Sequence, residues 1–447
     1  MAGRIVECPA LSKETGWGGD VYTRLTNKNF YKGENIMYIN KTRLIKSVSI
    51  LCLVSLLLVS TVNVLAQTND TLVSETEANL AASYYLNYYN EEEDIWKDTN
   101  LSAPITYYSV KDQPIAYEYS VLNREGLSIG YLIISATKDW MPLLERGEGK
   151  APSAYLGDAY AIALNENLVN EGEFGNPVIY YFGGLSYYTQ FGPTMIEDQR
   201  MIHLRSGMVI QKPTEQLTLC MDKEKANAEW NKLNKAAIQS SSIVPIIGAT
   251  NQQQSNTIIQ ITGVPSWHQS SGWSIFCDEG GGALSYPDCQ GPPDDPWANW
   301  DGCGPIAGAM VLGYWGDHGY SSFPTNDDEY LIDDCHYYMG TSDAGSTTVT
   351  SVAPGIADVS ELYGYDFTCN FDSSVSWADI TNEIDNGRPF VLMVNSAEFG
   401  GSHAITVRGY DSSTSLIYFH NTWDDFTNDI TFGNWNWAYM ATVIPGY

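Results

Sequence analysis

Positive charge is scarce in this chain, and it nearly runs out toward the C-terminus. Lys and Arg number 23 among 447 residues against 53 Asp and Glu, giving a formal net charge of −30. From residue 258 onward only Arg388 and Arg408 are basic. Phosphate recognition depends on Lys and Arg, so nucleic acid is excluded as a partner. The same charge repels anionic membrane surfaces and fits a protein working outside the cell. Closely spaced cysteines are absent as well. The eight cysteines contain no short Cys-x-x-Cys spacing, which argues against a zinc site. No internal repeat is present, so a repeat architecture is not expected.

Long apolar runs are limited to "SVSILCLVSLLLVSTVNVLA", Ser47 to Ala66. Lys41, Arg43 and Lys46 precede it, and Val64-Leu65-Ala66 closes it with a small residue at its end. That is the layout of a secretory signal peptide. An uncleaved anchor is the alternative, since about 20 apolar residues can span a bilayer. The Ser, Thr and Asn within the run favour cleavage, leaving no stable membrane insertion. Lys32-Gly33-Glu34 can be encoded by a purine-rich, ribosome-binding-like string just before Met37. The expected organisation is therefore a leader at 1–36 that is not part of the native protein and a signal peptide at 37–66. The product is expected to be secreted, extracellular or at the cell surface.

Beyond residue 67 the pattern reads as an α+β domain to residue 238. Ser74 and Glu77 have capping-box spacing ahead of Leu80, Tyr84, Tyr85 and Tyr88. "APITYYSV", "QPIAYEYSVL", "LSIGYLIISAT" and "NPVIYYFGGLSYYTQF" read as strands, and "EKANAEWNKLNKAAIQ" as a helix. The Ser/Gln/Asn-rich segment 239–257 reads as a linker. Residues 258–447 form the second domain, which holds five of the six histidines. The first domain offers no catalytic cluster, and its only histidine is His203.

The chemistry is sought in the second domain. In "DGCGPIAGAMVLGYW" Pro305 suits the first turn of a helix, placing Cys303 at the helix N-terminus. The positive end of a helix favours a thiolate. The competing reading of Cys303 is a buried structural or disulfide cysteine. A thiolate nucleophile needs a base, commonly His. "HAITVRGYD" and "LIYFHN" read as a hairpin. With its centre at Ser412, His403 falls opposite Asn421, whose carboxamide would fix the imidazole tautomer. Among the remaining cysteines, Cys277 with Cys289 and Cys335 with Cys369 are the neighbouring pairs. The acidic stretches "TNDDEYLIDD" and "PPDDPWANWDG" carry oxygen ligands suited to calcium. Neither matches an EF-hand loop, so they are read as solvated surface. No cofactor is expected beyond a structural calcium.

In order and spacing, "GCGPIAGAMVLGYW", "GGSHAITVRGYD" and "IYFHNTWDD" resemble the papain-like cysteine peptidases. They resemble especially the branch similar to bacteriocin-leader-processing peptidases, and the segment from Trp377, "WADITNEIDNGRPFVLMV", is similar too. The resemblance spans about residues 261–445. It implies a papain-like α+β domain in which a Cys-bearing helix packs on an antiparallel sheet or half-barrel. It further implies Cys303 as nucleophile, His403 as base and acid, Asn421 as orienter and Trp423 as a shield. An oxyanion-hole glutamine is implied at Gln269, with Gln290 as the rival. The first domain faintly resembles streptopain-type propeptides, which would make it a pro- or accessory domain and an inhibitor of its own enzyme. The expected activity is hydrolysis of protein or peptide substrates by a secreted enzyme made as a precursor. Two alternatives remain: a non-catalytic extracellular binding protein on this fold, and a transglutaminase-type acyl transferase.

Overall fold

A computed structural model describes residues 71–92, 96–170, 172, 175, 177–241, 258–268, 301–325, 328–342, 345–395 and 402–446. The leader, the signal run, residues 242–257 of the linker, Gln269, Gln290, and the Cys277–Cys289 pairing lie outside them. From Val73 onward the described residues belong to one compact unit. Among these residues no helix is long and apolar enough to cross a membrane.

The N-terminal domain opens with α1, Glu75–Glu92. The reciprocal bonds expected of its capping box are present: Ser74 N donates to Glu77 Oε2 at 2.9 Å, and Glu77 N to Ser74 Oγ at 3.3 Å. Strands β1 (Asn100–Leu101), β2 (Ile105–Tyr108), β3 (Pro114–Leu122), β4 (Ser128–Ser135) and β5 (Leu143–Glu148) follow. After α2 (Leu156–Asn165) come β6 (Val178–Tyr181), β7 (Tyr187–Gln190), α3 (Gly192–Glu197), β8 (Arg200–His203) and β9 (Val209–Gln211). Helix α4, Lys223–Ser241, closes the domain.

The C-terminal domain begins with β10 (Ile258–Gln260). Helices α5 (Cys303–Asp317), α6 (Asp328–Tyr338) and α7 (Val352–Leu362) come next, then β11 (Thr368–Asp372) and α8 (Trp377–Asp385). Strands β12 (Phe390–Val394), β13 (His403–Asp411), β14 (Leu416–His420), β15 (Thr427–Thr431) and β16 (Ala438–Ile444) finish the chain. Helix α5 is buried from Gly304 through Tyr314. A helix apolar on every side belongs inside a protein. Its Ile306, Met310 and Val311 pack with α6, α7 and the inner residues of β12, β13 and β16. Both domains are mixed α and β, with the cysteine helix against a largely antiparallel sheet.

The two domains share one sheet. Among the described residues sixteen strands connect, and β15 of the second domain pairs antiparallel with β5 of the first. At this seam Asp429 lies opposite Arg146, and the two form an ion pair whose side chains are 1 % and 2 % exposed. The cores interleave as well: Leu416 joins α1 and β3–β5, while Leu185 joins the strands of the second domain.

The hairpin register differs from the expected one. Thr406 pairs with His420 and Asp411 with Leu416, with an irregularity between Val407 and Gly409. His403 therefore lies beyond the last β14 pair and not across from Asn421. The turn is wider than assumed because the Asp411 carboxylate organises it. It accepts from Ser413 N at 2.8 Å, Ser413 Oγ at 2.7 Å and Thr414 Oγ1 at 2.6 Å. Cys335 and Cys369 share one core but carry free thiols, as does Cys303, whereas Cys220 is disulfide-bonded.

Candidate active site

Cys303 is the first residue of α5, and Gly302 caps that helix at φ +92°. A side chain at Gly302 would be strained by that φ and would collide with the Gly345 carbonyl oxygen. Two hydrogen bonds dock the helix on β13. Ala404 N donates to Cys303 Sγ at 3.4 Å, and Thr406 Oγ1 donates to Ala307 O at 3.0 Å. The sulfur thus sits against the backbone next to His403, on a largely buried side chain.

His403 is buried, 5 % exposed, with Nε2 at 2.5 Å from the Asn421 carbonyl oxygen. A carbonyl can only accept, so Nε2 carries the hydrogen and Nδ1 keeps its lone pair. Thr422 Oγ1 lies 3.3 Å from the same Nε2. The Trp423 indole stacks on the imidazole, with centroids 3.8 Å apart and planes at 18°. Asn421 thus meets His403 through its backbone. Its carboxamide instead folds the following turn: Oδ1 accepts from Trp423 N at 2.7 Å and Asp424 N at 3.0 Å. Nδ2 donates to Asp424 Oδ1 at 3.0 Å.

Burial favours the neutral form of both groups. Burial pushes the His403 imidazole down to about 3; the Asn421 carbonyl opposes this, and His203 and Arg205 add to it. Burial also pushes the Cys303 thiol up, against the pull of the Ala404, Cys303 and Gly304 N–H groups. Both shifts favour the uncharged forms, a thiol and a neutral imidazole; for Cys303 burial thus opposes the thiolate expected from its place at the helix start.

The structure brings Cys303, His403, Asn421 and Trp423 into one site. It also brings in residues that sequence reasoning missed. His203 lies 5.6 Å from Trp423, centroid to centroid, and Arg205 pairs with Asp424 at 2.7 Å. Both come from the N-terminal domain. The one available signal was charge balance: with only Arg388 and Arg408 of its own, the second domain has few internal cations for a buried carboxylate. Among the described residues, no three or more His, Cys, Asp and Glu are grouped to hold a metal ion.

The Peptidase_C39 like family matches residues 290–443. That span contains the Cys303 helix, the His403 strand and the 421–424 turn. The C-terminal domain is a papain-like cysteine peptidase domain. No curated protein matches the chain. The papain-like domain is preceded by the smaller α+β domain that shares its sheet.

Proposed function

We propose that the protein is a secreted cysteine peptidase, made as a precursor, that hydrolyses peptide bonds through Cys303 and His403. The observation that carries this is the Cys303 sulfur at a helix N-terminus, against the residue following His403, with Asn421 O holding Nε2–H so that Nδ1 is the base. Substrate entry drives the Cys303 proton onto Nδ1 as sulfur attacks the scissile carbonyl carbon. The oxyanion takes the Cys303 N–H, one of the donors that a helix start leaves unpaired. Gln269 supplies a second donor in this proposal. Imidazolium then protonates the leaving amine, and a thioester joins the acyl group to Cys303. Water, deprotonated by His403, attacks the thioester and releases the acid, and the thiol regains its proton. Trp423 covers one face of the imidazole and keeps water from the Nε2–H bond.

Purified protein and its Cys303→Ala variant, compared on casein, test this reading. Loss of the nucleophile is expected to lower the rate about 10⁴-fold or more. Equal rates, or no cleavage by either protein, would reject it. An amine-dependent acyl transfer without hydrolysis would move the assignment to the transferase alternative.

A further inference from the structure

The N-terminal domain reaches the turn that holds the histidine, and Cys–His peptide hydrolysis does not by itself require that. Arg205 Nη1 pairs with Asp424 Oδ2 at 2.7 Å, the two side chains being 3 % and 15 % exposed. The guanidinium is itself fixed. It donates to Tyr155 Oη at 2.7 Å and to Lys150 O at 3.3 Å, and it lies 4.5 Å from the Tyr155 ring centroid. The other Asp424 oxygen accepts from Asn421 Nδ2 and from Phe426 N at 3.1 Å. Asn421 in turn presents its carbonyl to His403 Nε2. Contacts therefore run without a break from Arg205 through Asp424 and Asn421 to the imidazole.

The turn needs such support. Thr422 is fully buried with φ +63°. A β-branched residue in the left-handed region is strained by about 1–3 kcal/mol and persists only where its surroundings over-determine it. Asn421 and Asp424 brace the turn from within, and Arg205 braces it from outside. His203 adds a second brace against Trp423, held by Nε2 to Leu185 O and Nδ1 to Ser206 Oγ, both at 2.9 Å. The described hydrogen bond to the Cys303 sulfur, by contrast, comes from Ala404 of its own domain.

We infer that Arg205 is a positioning residue for His403: through Asp424, the N-terminal domain holds the 421–424 turn in the form that presents the Asn421 carbonyl to Nε2–H. This inference rests on the peptidase reading for its effect on rate. It makes the N-terminal domain a working part of the site, retained in the active enzyme; the inhibitory role that the propeptide resemblance implies is not adopted, and the precursor differs from the enzyme by its signal segment.

The test uses full-length Arg205→Met, Arg205→Lys and the double variant Arg205→Met/Asp424→Asn, which leaves no buried carboxylate unpaired. Two quantities are read: kcat and KM on a labelled casein, and the NMR signal of the His403 ring N–H. That signal is assigned by its disappearance in His403→Ala. Arg205→Met is expected to lower kcat about 10- to 100-fold, with KM changed less than about 2-fold. It should also lose the solvent-protected ring signal, while Arg205→Lys recovers part of both. The double variant should match Arg205→Met, and it decides the matter if Arg205→Met does not fold. A folded variant with wild-type kcat and an intact ring signal overturns the inference. If no variant cleaves casein, wild type included, and the ring signal still depends on Arg205, positioning stands and the peptidase reading falls.

Discussion

Two arginines cross from the N-terminal domain to aspartates of the papain-like domain, and their surroundings give them different jobs. Arg146 and Asp429 lie on paired strands, β5 and β15, where backbone hydrogen bonds already fix both partners. The Arg146 guanidinium is covered by aromatic rings, 3.8 Å from the Tyr89 centroid and 5.4 Å from that of Tyr418. Arg205 follows β8, and Asp424 sits in the turn after β14, so no ladder holds either one. In the first pair the backbone sets the geometry, and the ions must only be neutralised. In the second pair the ions help set the geometry of the backbone. The same chemistry therefore serves assembly at one place and local conformation at the other.

The largest expected effect tests the seam. Arg146→Met leaves Asp429 buried without its cation, which should destabilise the protein by about 3–5 kcal/mol. Denaturant titration would show this as a lowered midpoint. Arg146→Met/Asp429→Leu should recover most of the loss, because paired removal of a buried ion pair is often close to neutral. Arg205→Met should invert the pattern, with a smaller loss of stability and a larger loss of kcat. Equal stability losses for the two arginines would erase the distinction between seam and turn.

Protonation probes both regions at once. Burial holds His203 and His420 down to about 4 and His403 to about 3, all below the ordinary 6.5. Each contributes stability that is complete above the unfolded value and is lost as pH falls toward the folded one. Glu145 acts in the opposite sense. Burial raises it to about 7 from 4.5, so its contribution is complete below 4.5 and is lost as pH rises through 7. Burial raises the Glu118 and Asp334 carboxyls as well, so they act with Glu145. The three histidines are displaced furthest, down to about 3 and 4, so stability should still fall between about pH 6.5 and pH 4. Denaturation midpoints at pH 7, 5.5 and 4 measure this, and His203→Gln should flatten the slope. An unchanged midpoint would mean that these imidazoles are not buried neutral.

Much of the site was legible because its signals are local. Pro305 and the small residues around Cys303 mark a helix start, and alternation marks β13. The Ser74–Glu77 box announced α1 in the same way. The hairpin register was not legible, since it depends on the Asp411 side chain organising a turn and on an irregularity at Arg408. Asn421 was singled out for its carboxamide, yet its carbonyl holds the histidine. Sequence spacing does not distinguish a side-chain contact from a backbone contact at one residue. Arg205 lies 219 residues from Asp424, and no periodicity reports a partner at that distance. A shared sheet was equally hidden, because β5 and β15 each read as an ordinary strand and nothing local says which strands meet.

The smallest expected effect supplies the baseline for the two buried pairs. Arg124 and Asp98 also pair, at 2.5 Å, but their side chains are 76 % and 54 % exposed. Water already solvates both charges, and two mobile side chains must be ordered to bring them together. Such pairs contribute about 0–1 kcal/mol and are weakened by salt. Arg124→Ala should therefore shift the denaturation midpoint by no more than about 0.5 kcal/mol in equivalent stability, and kcat should stay at the wild-type value. The outcome matters beyond the surface. If Arg124→Ala were as damaging as Arg146→Met, burial would not be what separates these ion pairs. The contrast between seam and turn would then need a cause other than the backbone around each arginine.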